Sequence, residues 1–388
     1  MRLSQVVIER LTASRTAGLY PYNMPLERVN RTHVRLNRDI LLMASSYDYL
    51  SLIGDPRIEQ ATIEAIRDHG TSTGGVRLLT GSTPAHRALE ARLAAQYGTE
   101  DCVTFSSGYF ANIGAMACWG APNTLAHVDI LSHRSVLDAC TLAGSPIRRF
   151  RHNSAEDLRR RLARAGDQSG IVFIESLYSM DGDLAEISDI DQVASDAGAP
   201  LLVDDAHGLG ILDPPRDHHV TAWVGALSKA VPSNGGFVAT DAENADRIRH
   251  LAGPYIFSAA AVPGAVAAAH TALAVIAEEP WRRERLRSNV RHLVVSLGHG
   301  FAFHDTRAPI VPVRYTSDEQ TLRAAQSLRE AGLFVTPIVS PAVGPNQPRL
   351  RICVNTAHRL EDLSRLAEAI LKFDRAERID RHSLSQTA

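Results

Sequence analysis

The chain has 388 residues, 45% apolar and 22% charged, enough for two domains and a core that needs no covalent staples. Its formal net charge of −2 gives no electrostatic basis for binding nucleic acid or an anionic membrane. Cys102, Cys118, Cys140 and Cys353 lack C-x-x-C spacing, which argues against a structural zinc site or disulfide framework and fits a reducing cytoplasm.

At the N-terminus, residues 1–11 carry Arg2, Glu9 and Arg10 between short apolar steps, unlike a signal peptide. A cytoplasmic location is expected. Residues 101–106 read as a strand and 109–119 as a helix, followed by a strand over 124–128 and a helix over 135–142. A strand over 147–150 precedes a helix opened by Ser154, with Asp157 as capping-box partner. Residues 171–175 and 201–203 are continuous apolar runs, as in strands buried on both faces, and 235–239 is a further strand. This alternation predicts an α/β domain with a mainly parallel sheet flanked by helices.

Residues 258–277 carry no charge over a length that could span a bilayer. The stretch is mostly alanine and includes Pro263, Gly264 and His270, so it reads as a buried helix starting near Pro263 rather than a membrane span. From about residue 280 the pattern changes to helix 281–297, strand 310–314, helix 319–331, strands near Phe334 and Leu350, and a last helix over 360–373. The expected division is an N-terminal segment 1–45, a large α/β domain 46–279, a small α+β domain 280–373 and a polar, frayed tail 374–388.

In a parallel sheet, ligands sit at the carboxyl ends of strands. The first such end delivers Ser106, Ser107, Gly108 and Tyr109, a small-residue turn into a helix N-terminus suited to phosphate. The end at Val203 delivers Asp204, Asp205, Ala206 and His207. An acidic group there could hold a protonated ring nitrogen, bind metal or cap a turn. No neighbouring residues complete a familiar ligand spacing, and the adjacent His218 and His219 read as a solvated loop, so no metal is expected. Lys229 follows a strand-like run and precedes Gly235 and Gly236. Lys229 and Lys372 are the only lysines among 41 cationic residues. Guanidinium cannot replace an amine that must form an imine or lose a proton, so a retained lysine is a chemical candidate. Lys372 sits between Leu371 and Phe373 and reads as a surface cation.

A strand-end aspartate, a nearby histidine, a phosphate-suited helix start and a rare lysine together point to pyridoxal 5'-phosphate (PLP). Competing signatures are missing: no G-x-G-x-x-G follows a strand, and there is neither a P-loop nor a G-x-S-x-G elbow.

Specific segments then resemble the α-oxoamine synthase family of fold-type-I PLP enzymes. In family order they begin with Ser46-Tyr47-Asp48-Tyr49-Leu50-Ser51-Leu52 and Gly74-Gly75-Val76-Arg77 with Gly81, His86, Leu89 and Glu90. Phe105-Ser106-Ser107-Gly108-Tyr109 with Ala111 and Asn112, then Leu131-Ser132-His133, follow. The strongest are Glu175-Ser176-Leu177-Tyr178-Ser179-Met180-Asp181-Gly182-Asp183 and Val203-Asp204-Asp205-Ala206-His207-Gly208. Leu227-Ser228-Lys229, Ile256-Phe257-Ser258 and Arg349-Leu350-Arg351-Ile352 with Ala357 and His358 complete the set, covering roughly residues 45–370.

The resemblance implies a fold-type-I PLP transferase that condenses a small amino acid (glycine, alanine or serine type) with an acyl thioester, with loss of CO₂, to give an α-amino ketone. It implies that Lys229 binds the cofactor as a Schiff base and that Asp204 pairs with the pyridine nitrogen. His207 hydrogen-bonds near the phenolic oxygen and helps polarise the acyl carbonyl, His133 stacks on the ring, Gly108 and Tyr109 cup the phosphate, and Ser179 lies near the cofactor. Arg351 grips the amino-acid carboxylate through its bidentate fork, Arg349 being its most easily confused neighbour. Active sites of the family lie at a homodimer interface, where Ser258 matches a segment reaching the partner's phosphate. The acyl donor is acyl-CoA or an acyl carrier protein, with Arg77, Arg148 and Arg149 as candidate contacts.

Four departures bear on substrate choice. Tyr47 stands where the family has asparagine, Ala226 where threonine binds phosphate, and Ala259 where threonine follows serine. Ser228 is a candidate to compensate for Ala226. The loop from Gly208 to Thr221 is short and carries Pro214-Pro215 in place of glycines. The lysine, aspartate and both histidines are present, which favours an active enzyme with unusual substrates. The alternatives are another fold-type-I reaction, of aminotransferase or aldolase type, or a non-catalytic partner subunit.

Overall fold

The structure, a computed structural model, describes residues 3–166, 170–213, 219–298, 305–344 and 346–386. Pro214, Pro215 and His218 lie outside the described residues. The chain forms two compact units: Leu52–Ser179 with Asp183–Arg283, and Met1–Ser51 with Met180–Gly182 and Glu284–Ala388.

The first unit is built on a seven-stranded sheet. Its strands lie in the order Asp101–Phe105, Pro232–Thr240, Ala222–Ser228, Leu201–Asp204, Gly170–Glu175, Leu125–Asp129, Ile147–Phe150. Only Pro232–Thr240 is antiparallel to its neighbours. The other six therefore present their carboxyl ends along one edge, where the crossover loops deliver side chains. The apolar runs seen in the sequence are the buried strands. Val103, Val128, Phe173, Leu202 and Val224 are buried together with Ala111, Ala115 and Met116 of the helix Gly108–Trp119.

Helix starts follow local chemistry. Asp55 caps Pro56–His69, Thr83 caps Pro84–Tyr97, Ser107 caps Gly108–Trp119, and Pro263 opens Pro263–Glu278. That last helix is the uncharged stretch, buried along Val266, Ala269, Ala272 and Ile276. Among the described residues, no helix is long and apolar enough to cross a membrane. The expected capping box at Ser154 forms only halfway. Ser154 accepts from the Asp157 N–H, but the Asp157 carboxylate accepts from the Arg151 N–H, because the Ser154 N–H is already bonded to the Arg151 carbonyl.

The second unit differs from the expected division at both ends. The strand Asp39–Met43 pairs in parallel with Leu333–Phe334, which joins the N-terminal segment to the C-terminal α+β part. A three-stranded sheet, Ile310–Arg314, Arg349–Cys353 and Thr336–Ile338, completes it. The final helix does not stop at Phe373 but runs Leu360–Gln386, since no proline or glycine interrupts it.

Candidate active site

The parallel sheet edge gathers the predicted residues of the first unit. Asp204 ends its strand 5% exposed. Its Oδ2 accepts from Asn112 Nδ2 at 2.8 Å and its Oδ1 from the Ala206 N–H at 3.0 Å. His207 is buried. Lys229 is half-buried in the turn between Ala222–Ser228 and Pro232–Thr240, with Ser228 exposed just before it.

At the next strand end, Ser107 caps the Gly108–Trp119 helix by accepting from the Phe110 N–H at 3.2 Å. The first helical N–H groups, of Gly108 and Tyr109, have no intrahelical acceptor, the property that suits a helix start to an anion. Two glycines allow the close backbone approach. A Cβ on Gly108 would sit 2.8 Å from Ala226 Cβ, and one on Gly236 would run into the Ser107 carbonyl. Tyr109 itself is exposed and its hydroxyl donates to Asp138 at 2.6 Å, so its side chain is engaged away from the backbone turn.

His133 is the cap residue of Arg134–Leu142, and its backbone N–H donates to Glu175. Glu175 also accepts from the backbone N–H of the buried Ser179. It lies opposite Asp204 in the sheet register, and burial, then the Asp204 charge, pushes its carboxyl well above the usual range. Asp205 accepts from the Tyr97 hydroxyl at 2.6 Å and from the Ser176 hydroxyl; burial pushes it up to about 7. Ser258 is half-buried on a segment pinned to the 74–81 turn by the Val76–Ala259 bridge and the Ala260 N–H to Gly75 carbonyl bond of 3.0 Å.

Two predicted residues belong to the second unit. Arg351 is 5% exposed, with its guanidinium 4.7 Å over the Tyr47 ring. Its Nη2 has no hydrogen-bond partner among the described residues. Arg349, by contrast, is committed: it pairs with buried Asp181 and donates to the Met180 carbonyl at 3.3 Å. The two arginines are thereby separated by what each already holds.

Arg77 is corrected. It is buried, pairs with Glu90 at 2.9 Å and hydrogen-bonds Thr104 at 2.5 Å, so it is part of the interior rather than a thioester contact. Arg148 and Arg149 are exposed on the edge strand, and Lys372 is exposed on the last helix. Among the described residues no three His, Cys, Asp or Glu side chains are grouped for a metal ion.

Asn112, Ser135, Glu175 and His152 have roles that their own sequence neighbourhoods do not show. Each depends on partners far along the chain. His152 bonds Asp129 at 3.0 Å and, through Nε2, Asp183, with its ring 4.5 Å from that of Tyr178. Burial acts to lower its pKa, but the two carboxylates outweigh this and push it up to about 10. Its folded value thus lies above the usual 6.5, so its contribution is complete below about pH 6.5 and is lost as pH rises towards 10. Thermal melting of His152→Gln against the parent should show a stability gap that narrows across that window. A gap independent of pH would remove the charge argument.

Comparison with known proteins accords with this geometry. Residues 39–370 match the family model for aminotransferase class I and II. Chromohalobacter salexigens 8-amino-7-oxononanoate synthase is 38% identical over 85% of this chain and 88% of its own. Sphingobacterium spiritivorum serine palmitoyltransferase is 32% identical over 96% of this chain and 95% of its own. A solved serine palmitoyltransferase from S. paucimobilis, with a bound PLP–myriocin aldimine, is 29% identical, covers 97% of this chain and 99% of that one, and superposes with a TM-score of 0.92. With its fold-type-I sheet and these relatives, the chain belongs to the α-oxoamine synthase family.

Proposed function

We propose that this chain is a PLP-dependent acyltransferase. It condenses a glycine-, alanine- or serine-type amino acid with an acyl thioester on CoA or a carrier protein, releasing CO₂ and an α-amino ketone. The observation that carries the reading is the single sheet edge of this family member that bears Lys229, Asp204, His207 and the Ser107–Gly108–Tyr109 turn.

The donor set suits the cofactor. A small-residue helix start offers N–H groups to a phosphate, Asp204 offers a carboxylate to a pyridinium, and Lys229 offers an amine to an aldehyde. When bound, PLP supplies that aldehyde and an electron-accepting ring. Lys229 would anchor it through its amine, and that amine, once free, would be the base placed to take the α-proton of the substrate. Asp204 keeps the ring nitrogen protonated. His133 would stack on the ring. His207 hydrogen-bonds the phenolic oxygen and steadies the acyl carbonyl. Gly108 and Tyr109 hold the phosphate with Ser179 and Ser228 nearby, and Ser258 serves the partner's phosphate in a homodimer. Arg351, with an unfilled Nη2, holds the substrate carboxylate, and Tyr47 shapes the space beside it. Four unpaired cysteines, three of them buried, suit a cytoplasmic enzyme.

The test is the visible spectrum of PLP-loaded protein as glycine, alanine and serine are added in turn, followed by acyl-CoA with CO₂ collected. The expected result is a band that shifts with one amino acid and one CO₂ released per thioester consumed. A shift without CO₂ would point to a different fold-type-I reaction, and no band at all would overturn the cofactor assignment.

A further inference from the structure

One buried amide ties together two of the residues assigned above. Asn112, 2% exposed on the Gly108–Trp119 helix, uses both hydrogens of its Nδ2: one to Asp204 Oδ2 at 2.8 Å, the other to Ser135 Oγ at 2.8 Å. The orientation follows from chemistry, because a carboxylate only accepts and would repel the amide oxygen. Ser135 Oγ therefore accepts from Asn112, and its own proton is directed to His133 Nδ1, 2.7 Å away. The Ser135 backbone N–H also donates to Nδ1 at 3.3 Å. A backbone N–H can only donate, so Nδ1 carries no proton and the neutral ring holds its proton on Nε2.

We propose that Asn112 is a positioning residue that aims the Asp204 carboxylate and, by orienting the Ser135 hydroxyl toward Nδ1, holds the His133 ring in place. This rests on the PLP reading above. The other titratable groups facing Asp204 are Glu175 on the adjacent strand, Asp205 beside it and Tyr97 beyond. None of these donates a hydrogen bond to Asp204 among the described residues, whereas Asn112 does.

The test is pH titration of the visible absorption of PLP-loaded Asn112→Ala and Ser135→Ala, with visible circular dichroism and the melting temperature of each cofactor-free protein. If Asp204 loses its aim, the ring nitrogen is less fully protonated. The absorption midpoint of Asn112→Ala should then move up by about one pH unit, with cofactor affinity down about tenfold. Ser135→Ala should keep the parent midpoint but change the dichroism, and Ser135→Thr should restore it. An Asn112→Ala midpoint equal to the parent's overturns the Asp204 arm. Unchanged dichroism in Ser135→Ala overturns the His133 arm. Should Asn112→Ala not fold, Asn112→Ser, too short to bridge both partners, reads out the same shift. A parent protein without a visible band would instead defeat the PLP reading itself.

Discussion

Lys229→Ala is expected to abolish the visible absorption of the PLP-loaded protein and to lower turnover by at least about 10³-fold, the scale of losing a positioned base. The loss is larger than a base alone would give, because the same amine also anchors the cofactor. Lys229→Arg should fail equally. A guanidinium neither forms an imine nor gives up its proton near neutral pH, so retaining the positive charge rescues nothing. Lys229 is half-buried in a turn, so the melting temperature of the cofactor-free protein should change little. Absorption spectra and steady-state turnover check the expectation. A Lys229→Ala protein that lacks turnover yet keeps full biological activity would restore the non-catalytic reading.

The second large effect separates two arginines that stand two positions apart. Arg351→Ala should raise the KM for the amino acid by about 10²-fold or more. Hydrogen bonds to a charged group are worth about 1.5–3 kcal/mol each, and a bidentate grip loses two. Arg351→Lys should recover only part of this, since an ammonium lacks the fork. Arg349→Ala should act on stability instead. It leaves Asp181 buried with its partner removed, a loss of about 3–5 kcal/mol for a broken buried pair. Arg314, 2.6 Å from the same carboxylate, offsets part of that penalty. Denaturant melts and KM values distinguish the two. If Arg349→Ala changed KM with parental stability while Arg351→Ala left KM unchanged, the assignment would be reversed.

Much of this site is legible in the sequence because it follows short-range rules. Asp204 and His207 stand at and just past the end of an apolar run that reads as a buried strand. Ser107 and Gly108 open a helix by ordinary capping chemistry. Lys229 stands out because almost every other cation is arginine. Residues 1–100 showed less. Their helices Pro56–His69 and Pro84–Tyr97 carry proline at the first helical position, a local start signal that turn prolines share.

Other residues were illegible for a physical reason: their meaning lies in partners distant along the chain. Arg77 looks like any surface arginine until Glu90 and Thr104 close around it. Asn112 is an ordinary helical asparagine until the sheet brings Asp204 beside it, 92 positions away. His152 is charged only because Asp129, at a strand end, and Asp183, in the segment after the strand Gly170–Glu175, both meet it.

The sequence by itself determined the α/β alternation, the strand ends that carry chemistry, the rare lysine and the family resemblance. These depend on local periodicity, capping and residue type, which short segments specify. Tertiary structure alone decided the strand order, the antiparallel Pro232–Thr240, and the joining of Met1–Ser51 with the C-terminal residues. It also decided which arginine is already paired and which has an unfilled donor. Those outcomes depend on which groups are desolvated together, and desolvation is set by contacts between segments that the order of residues does not place side by side.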